Sequence, residues 1–292
     1  MIWTIRYGEC LMNQNFQIGA FCFRIIADDA IPVPDNFMKF TADSASIPVY
    51  TYHLYVEEKL PEPTGRLIAE RPNLKVYQTA AGEERYLSDF TPDRFWGYFC
   101  EVSDSQADIT ILQKELPLLH YDTYFASLFM LEKQMILRDS LILHSAYIVY
   151  RDEAILFSAP SQTGKSTQAA LWEKYRSSFT VNGDRSLLRK INGRWYACSW
   201  PVCGSSGICN IQDTPIHAIV MLRQGEKNIA NPLPAIHGFT ELYAQITSNK
   251  WNRAFVQRAM DDLENLISNV PIWQLTCDIS EDAVKCLEGA LY

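Results

Sequence analysis

The sequence predicts an α/β protein, α+β overall, in which a β-rich N-terminal region precedes a domain built on a mixed sheet. In the first 118 residues, segments rich in β-branched and aromatic side chains alternate with proline-marked turns. After this point apolar residues take helical spacing, and short apolar strands then alternate with helical patterns. We therefore expect two domains, residues 1–118 and residues 119–292.

Composition narrows the functional classes. The chain has 292 residues, of which 48% are hydrophobic and 12% aromatic, so it can bury a sizeable core and is not intrinsically disordered. It carries 26 Lys and Arg against 34 Asp and Glu, a net charge of −8. An acidic balance argues against a non-specific nucleic-acid binder and against an anionic membrane surface as a partner.

Cellular location follows from what the sequence lacks. No run approaches the roughly 18 apolar residues of a membrane helix, and residues 1–6 lack the basic and apolar parts of an export signal. We expect a soluble, cytoplasmic protein. Its eight cysteines should then be free thiols that behave as small buried hydrophobes, because none forms a Cys-x-x-Cys pair.

The N-terminal region is predicted to form an antiparallel sheet. Its candidate strands are residues 16–26, 49–56, 74–77, 94–102 and 109–113. Prolines at positions 32, 34, 61 and 63 mark turns between them. We find no group of chemically reactive side chains in this region. That this region binds a peptide or protein substrate is a hypothesis, and no particular residue supports it.

The second domain opens with a helix predicted over residues 122–138. Strands are then expected at 141–149, 154–158, 179–182, 218–222 and 272–277, and helices at 165–175, 240–247 and 252–268. Asn192-Gly193 is a hairpin turn signal between two further short strands. Ser280 is expected to cap the last helix.

The motif that indicates chemistry is APSQTGKST, residues 159–167. A phosphate loop (P-loop) has the pattern G-x-x-x-x-G-K-[ST], and here Ala159 replaces its first glycine. An apolar strand precedes the loop and a helix follows, so backbone N–H groups at the helix N-terminus would face phosphate. The candidate nucleotide-binding residues are Ser161, Gln162, Thr163, Gly164, Lys165, Ser166 and Thr167. The alternative is a strand–turn–helix connection with a Gly–Lys surface turn.

Within this motif, Lys165 is expected to reach the β- and γ-phosphates and Ser166 to hold Mg²⁺. A carboxylate at a neighbouring strand end is also needed, and Asp184 in Asn-Gly-Asp-Arg directly follows the next strand. Asp184 is thus the candidate metal ligand and catalytic acid–base group. The alternative is that Asp184 is a turn residue after Asn-Gly.

Four blocks of sequence together resemble the catalytic domain of HPr kinase/phosphorylase. They are His144-Ser145-Ala146, the PSQTGKST segment, Asn-Gly-Asp-Arg at residues 182–185, and SGICNI at residues 206–211. Their order and approximate spacing agree over about residues 140–225. The first 118 residues do not match the N-terminal domain of that family.

The resemblance implies a phosphoenolpyruvate-carboxykinase-like P-loop fold and ATP-dependent phosphorylation of a serine hydroxyl. It places His144 by the phosphate site, although a strand-end histidine has a structural interpretation too. Gly183 and Gly204 stand where the family has a second aspartate and an arginine. These differences leave the reverse reaction and HPr as the substrate open. Arg185 could contact phosphate or pair with a carboxylate.

The sequence thus predicts an ATP- and Mg²⁺-dependent kinase that uses Asp184, Lys165 and His144. The acceptor is a hydroxyl group of a protein, a peptide or a small molecule, and the sequence is compatible with an oligomer. One alternative is a nucleotide-binding regulatory module without phosphotransfer. Another is a carboxykinase-like metabolic enzyme, for which we find no convincing second set of metal ligands, because His217 and His237 are isolated.

Overall fold

The computed structural model describes residues 12–43, 45–89, 91 and 94–292, and the chain divides into two compact units, Met1–Leu131 and Glu132–Tyr292. Residues 1–6, on which the expectation of no export signal rests, lie outside the described part. Unit 1 is rich in strands, and unit 2 combines a mixed sheet with helices. The architecture is therefore mixed α/β, in line with the predicted class.

Unit 1 is built on one eight-stranded sheet within the described residues. The spatial order of its strands is β1-β2-β3-β8-β7-β6-β5-β4. A short helix, α1 (Asp35–Met38), lies between the second and third strands in sequence. The strands are β1 (Met12–Ile18), β2 (Phe21–Ala27), β3 (Tyr50–Glu57), β4 (Arg66–Arg71), β5 (Leu74–Gln78), β6 (Glu83–Ser88), β7 (Phe95–Ser103) and β8 (Gln106–Leu112).

Two predictions for unit 1 were wrong. Residues 16–26 are two strands, because Gly19 adopts a left-handed φ of 55° and turns the chain into a hairpin. The sheet is also not wholly antiparallel, since β3 is parallel to both of its neighbours, β2 and β8. Parallel pairs need long connections, and the chain supplies them between β2 and β3 and again through β4–β7.

The segment after β8 explains why the boundary between the units falls later than residue 118. It contains a 3₁₀ helix (Gln113–His120), α2 (Asp122–Leu128) and α3 (Leu131–Ile136). The buried ring of Phe125 lies 4.6 Å from that of Phe37, and Phe129 lies 5.1 Å from Tyr52. Residues 119–131 therefore pack in unit 1. The single helix expected over 122–138 is interrupted at Met130, whose φ is 50°.

Unit 2 contains the remaining strands, in the order β10-β9-β12-β13-β14-β16-β15, with β11 also paired to β9. Strand β10 is parallel to β14, and β14 is parallel to β16, whereas the other pairs are antiparallel. The strands are β9 (Ser140–Tyr150), β10 (Glu153–Ser158), β11 (Phe179–Asn182), β12 (Arg185–Ile191), β13 (Arg194–Cys198), β14 (Thr214–Gln224), β15 (Ile229–Pro232) and β16 (Ile272–Cys277).

Four helices cover this sheet: α4 (Lys165–Arg176), α5 (Ala235–Gln245), α6 (Arg253–Asn269) and α7 (Glu281–Leu291). Side chains of β10 alternate between two cores. Leu156 belongs to the core that contains residues of α5 and α6, and Phe157 to the core that contains residues of α4 and α7. This two-residue period is why the strand is apolar throughout, because both of its faces are covered.

Local signals in unit 2 were predicted correctly. Asn192 and Gly193 both have positive φ, 49° and 86°, which a tight hairpin turn requires. Ser280 caps α7, since its Oγ accepts a hydrogen bond from the N–H of Ala283 at 3.3 Å. The first helix after the predicted loop begins at Lys165, as expected.

The described part of the chain contains seven cysteines, and all of them are free thiols. Cys10 lies outside it. No helix in the described ranges is both long and apolar enough to cross a membrane.

Candidate functional site

The loop of residues 159–164 joins the C-terminal end of β10 to the start of α4. Gly164 has a left-handed φ of 115°, and a Cβ built on it would meet no atom within 4 Å. Gln162 is also left-handed, with a φ of 66°. The Thr163 hydroxyl donates to the Pro160 carbonyl at 2.9 Å and closes the turn. The local chain is thus a tight strand–loop–helix connection whose backbone is open at Gly164.

The loop is tied to the neighbouring parallel strand. The Nε2 of Gln224, at the end of β14, donates to the carbonyls of Gln162 and Thr163 at 3.3 and 3.4 Å. Ser161 and Gln162 are exposed, and Thr167 is half-buried in the first turn of α4. These three predicted nucleotide-binding residues therefore keep part of their surface accessible to a ligand.

Lys165 is buried at the base of the loop. Its side chain turns back, so that Nζ donates to the carbonyls of Ala159 and Pro160 at 3.1 and 3.3 Å. Burial lowers the pKa of Lys165, an effect that the nearby Asp184 opposes and Arg185 reinforces. Ala159, in place of the motif's first glycine, is fully buried.

The turn that carries Asp184 is built around the Asn182 side chain. Oδ1 of Asn182 accepts from the backbone N–H of Asp184 and of Arg185, both at 2.9 Å. Its Nδ2 donates to the carbonyls of Trp200 and Val202 at 2.9 and 3.2 Å. Asn182 is fully buried, so both ends of its amide are satisfied by protein. These hydrogen bonds hold the Asn-Gly-Asp-Arg turn in one conformation and thereby fix the backbone position of Asp184.

Asp184 lies between two basic side chains. Its Oδ1 is 3.3 Å from Nε2 of His144, and its Oδ2 is 3.4 Å from Nε of Arg185. Burial pushes the pKa of Asp184 upwards, but the His144 hydrogen bond and the charges of Arg185, His144 and Lys165 outweigh it and leave that pKa below its usual value. Asp184 is therefore ionised at neutral pH, and its side chain is 26% exposed.

Sheet register explains why these residues meet. Arg185 at the start of β12 is paired with His144 in β9. The backbone N–H of Ser145 donates to the Asp184 carbonyl at 2.9 Å, which extends this pairing by one residue. His144 is 41 positions before Arg185 in the sequence. Antiparallel pairing brings the two side chains to Asp184.

Ser166 connects the loop to the Asp184 turn, because its Oγ donates to the Gly183 carbonyl at 3.2 Å. The two predicted metal ligands, Ser166 and Asp184, thus lie on adjoining segments. The described residues contain no cluster of three or more His, Cys, Asp or Glu side chains that could hold a metal by themselves. A magnesium ion that is bound through one carboxylate, one hydroxyl and nucleotide phosphates needs no such cluster, so these residues fit one.

Gly183 and Gly204 lie so close to neighbouring atoms that a side chain at either position would clash with them. A Cβ at Gly183 would lie 2.4 Å from the Cβ and Oγ of Ser206. A Cβ at Gly204 would lie 2.8 Å from the Asp184 carboxyl carbon, and Gly204 has a left-handed φ of 55°. The segment 204–206 thus packs directly against the Asp184 turn. Neither position accepts a larger residue without movement of this contact.

Three further residues, which were not predicted to belong to the site, contact it. Asn182 had a signal, since it opens the Asn-Gly-Asp-Arg turn. Gln245 and Thr247 had none, because they lie at and just beyond the end of α5. Gln245 contacts His144 and Thr247 contacts Arg185. His217 lies elsewhere and pairs with Glu153 at 2.7 Å, which agrees with a structural role.

Comparison with known proteins adds little to this geometry. No family model matches the chain, and no curated protein matches it. A solved structure described as the "Structure of the Hpr(Ser) kinase/phosphatase from Coxiella burnetii" aligns with 51% of this chain and 92% of its own, at 13% identity and a TM-score of 0.30. A likeness of this strength carries no argument about the reaction, which must be inferred from the site itself.

Proposed function

We propose that this protein is a nucleotide-dependent kinase that transfers the γ-phosphate of ATP to a hydroxyl group. The observation that carries the proposal is the arrangement of Lys165 and Asp184. A buried lysine closes a strand–loop–helix turn, and an ionised carboxylate occupies the adjoining turn, which Ser166 touches. Phosphoryl transfer needs this pair of groups, one to stabilise the phosphates and one to orient the acceptor.

Asp184 would accept the proton of the acceptor hydroxyl. The acceptor oxygen forms a bond to the γ-phosphorus, the bond to the β–γ bridging oxygen breaks, and ADP leaves. The hydroxyl proton passes to the Asp184 carboxylate. The pKa of Asp184, held below its usual value, keeps the carboxylate ionised at neutral pH, so it can orient the hydroxyl and accept its proton as the new bond to phosphorus forms.

The basic side chains around Asp184 would stabilise the transferred group. Lys165 would leave the Ala159 and Pro160 carbonyls and bind the phosphates, together with backbone N–H groups of residues 161–166. His144 and Arg185 flank the carboxylate on either side. Ser166 and Asp184 are the residues that would hold Mg²⁺, which neutralises phosphate charge when it is bound.

The family and the acceptor form the finer part of the proposal. We place the chain as a divergent HPr-kinase-like protein with a carboxykinase-like P-loop core, on the sequence blocks of residues 140–225. The acceptor is then a serine of a protein or peptide, or the hydroxyl of a small molecule. Gly183 and Gly204, which replace an aspartate and an arginine of that family, favour an acceptor other than HPr.

One observation favours a second candidate, a nucleotide-binding regulatory module without phosphotransfer. The contacts of Gly183 with Ser206 and of Gly204 with Asp184 leave no room for the second carboxylate and the arginine of the family pattern. A site with one carboxylate could bind nucleotide and lack an efficient acid–base pair. Binding would then be retained and turnover lost.

The test measures binding and turnover separately. Titration calorimetry with Mg–ATP would report binding, and release of ADP would report turnover, with and without serine-containing peptides or small alcohols. Binding together with acceptor-dependent ADP release supports the kinase. Binding without any turnover supports the regulatory module, and the lack of both contradicts each proposal.

A further inference from the structure

Residues 245–247 form a short segment that runs from the end of α5 onto the edge of β9. Ile246 forms a bridge with Leu143, and the N–H of Thr247 donates to the Ile142 carbonyl at 2.9 Å. Ile246 is 6% exposed and belongs to the core beneath the sheet. The backbone of this segment is therefore fixed to the strand that carries His144. We call it the 245–247 segment.

The two polar side chains of the 245–247 segment contact the two basic residues that flank Asp184. Oε1 of Gln245 lies 3.3 Å from Nδ1 of His144. Oγ1 of Thr247 accepts a hydrogen bond from Nη1 of Arg185 at 3.0 Å. In each case the contact uses an atom other than the one nearest Asp184, because His144 approaches the carboxylate with Nε2 and Arg185 with Nε.

We propose that Gln245 and Thr247 are positioning residues, which hold the His144 ring and the Arg185 guanidinium in the orientations that face Asp184. The inference rests on the proposed kinase function. A histidine and an arginine that are 18% and 34% exposed would otherwise sample several rotamers. Contacts on their far sides reduce that freedom before substrate binds, and such preorganisation raises kcat more than it raises affinity.

The segment acts through geometry and not through charge. Gln245 and Thr247 are neutral, so neither changes the net charge of the site. Their hydrogen bonds are to His144 and Arg185, whereas the phosphate loop and Ser166 bond to Gln224, to Gly183 and to residues of the loop itself. Loss of either side chain should therefore disturb catalysis and leave nucleotide binding almost unchanged.

The first arm of the test observes the histidine directly. Long-range ¹H–¹⁵N correlation spectra of the full chain resolve imidazole nitrogens, and the sequence has five histidines, so a His144→Gln variant identifies the signal of interest. Gln245→Leu should move the His144 Nδ1 resonance and leave that of His217 in place. Gln257→Leu is the matched control, because Gln257 is an exposed glutamine bonded to Asp261 at 2.8 Å. An unmoved His144 resonance in Gln245→Leu would overturn the proposal.

The second arm measures turnover. In variants whose thermal denaturation matches the wild type, Gln245→Leu should lower kcat about tenfold and change the KM for Mg–ATP by less than about twofold. Thr247→Val should lower kcat about threefold, and Thr247→Ser, which keeps the hydroxyl, should restore it. An unchanged kcat, or an effect confined to KM, would contradict the positioning role. If the wild type itself shows no turnover, the kinase proposal fails, and the resonance shift still decides whether Gln245 holds His144.

Discussion

Each unit of the molecule contains a cluster of charged side chains, and the two clusters differ in burial and geometry. In unit 1, Nη2 of Arg85 lies 2.6 Å from Oε2 of Glu83, and the side chains are 1% and 3% exposed. In unit 2, Nε2 of His144 lies 3.3 Å from Oδ1 of Asp184, and the side chains are 18% and 26% exposed. The first pair is short and sealed, and the second is longer and open to solvent.

The difference shows which charges can act on a ligand. The buried Arg85 guanidinium also contacts the protein through Nη1, which lies against the Met130 sulfur. A sealed network of this kind can stabilise a fold but cannot receive a substrate. Asp184 and its neighbours lie at the ends of strands, beside glycines that carry no side chain. Their charged groups therefore remain accessible to solvent and to a ligand.

The largest expected effect is a loss of stability in unit 1. Arg85→Met removes one partner of the buried Arg85–Glu83 ion pair and should lower the free energy of unfolding by about 3–5 kcal/mol. The control is Arg94→Met, which breaks an exposed pair with Glu115 and should cost less than about 1 kcal/mol. Urea denaturation of the full chain compares them. Equal losses in the two variants would show that burial does not separate these pairs.

The next prediction applies the same kind of change to the open cluster. Asp184→Asn keeps the size of the side chain but removes its charge, so phosphotransfer should fall by at least about 10²-fold while ATP binding stays near normal. Asp261→Asn, an exposed carboxylate on α6, is the control and should have wild-type turnover. Turnover retained in Asp184→Asn would mean that Asp184 is only a turn residue.

Replacement of Lys165 by alanine should act on binding. It removes a buried charge beside the phosphate loop, and loss of a charge-assisted contact costs about 1.5–3 kcal/mol, roughly ten- to a hundredfold in Mg–ATP affinity. Lys174→Ala is the control, because Lys174 belongs to the same helix but its side chain packs over the Tyr175 ring. Titration calorimetry provides the comparison, and unchanged affinity in folded Lys165→Ala would exclude the phosphate-loop interpretation.

A steric prediction tests whether the glycines keep the open cluster in shape. Gly183→Ala places a methyl group 2.4 Å from Ser206 and should destabilise the protein by about 1–3 kcal/mol. Ser206→Gly removes the clashing atoms, so the double variant should be more stable than the sum of the single effects. Thermal denaturation of all four proteins gives the coupling. Additive effects would mean that the two residues do not share this contact.

The smallest expected effect contrasts two carboxylates of unit 2. Burial, followed by the charge of Asp139, raises the pKa of Asp262 to about 6, whereas the pKa of Asp184 is lowered. Between about pH 4 and 6, Asp262 is therefore protonated in the folded state and ionised in the unfolded state. The free energy of unfolding consequently rises as the pH falls from 7 through this range. Asp262→Asn should stabilise the protein at pH 7 by about 1 kcal/mol or less, after solvent screening. Denaturation at pH 7 and pH 5 measures this, and a variant that keeps the wild-type pH dependence would contradict it.

Several elements could be predicted because their signals are local. Gly164 before Lys165, Asn192-Gly193 and Ser280 each set a backbone angle or supply a hydrogen bond within three residues. The alternating cores of β10 follow from its uninterrupted apolar composition. Failures arose where packing overrode periodicity, as at Met130, or where one glycine divided a strand, as at Gly19.

By itself, the sequence determined the strand, loop and helix around residues 159–164 and the turn that begins at Asn182. Only the tertiary structure decided what faces Asp184. His144 arrives through antiparallel pairing of β9 with β12, and Gln245 contacts it across 101 positions of sequence. The physical reason is one of range. Turn angles and caps depend on a few neighbouring atoms, whereas strand pairing depends on which apolar faces can be buried together, and that is settled by the whole unit.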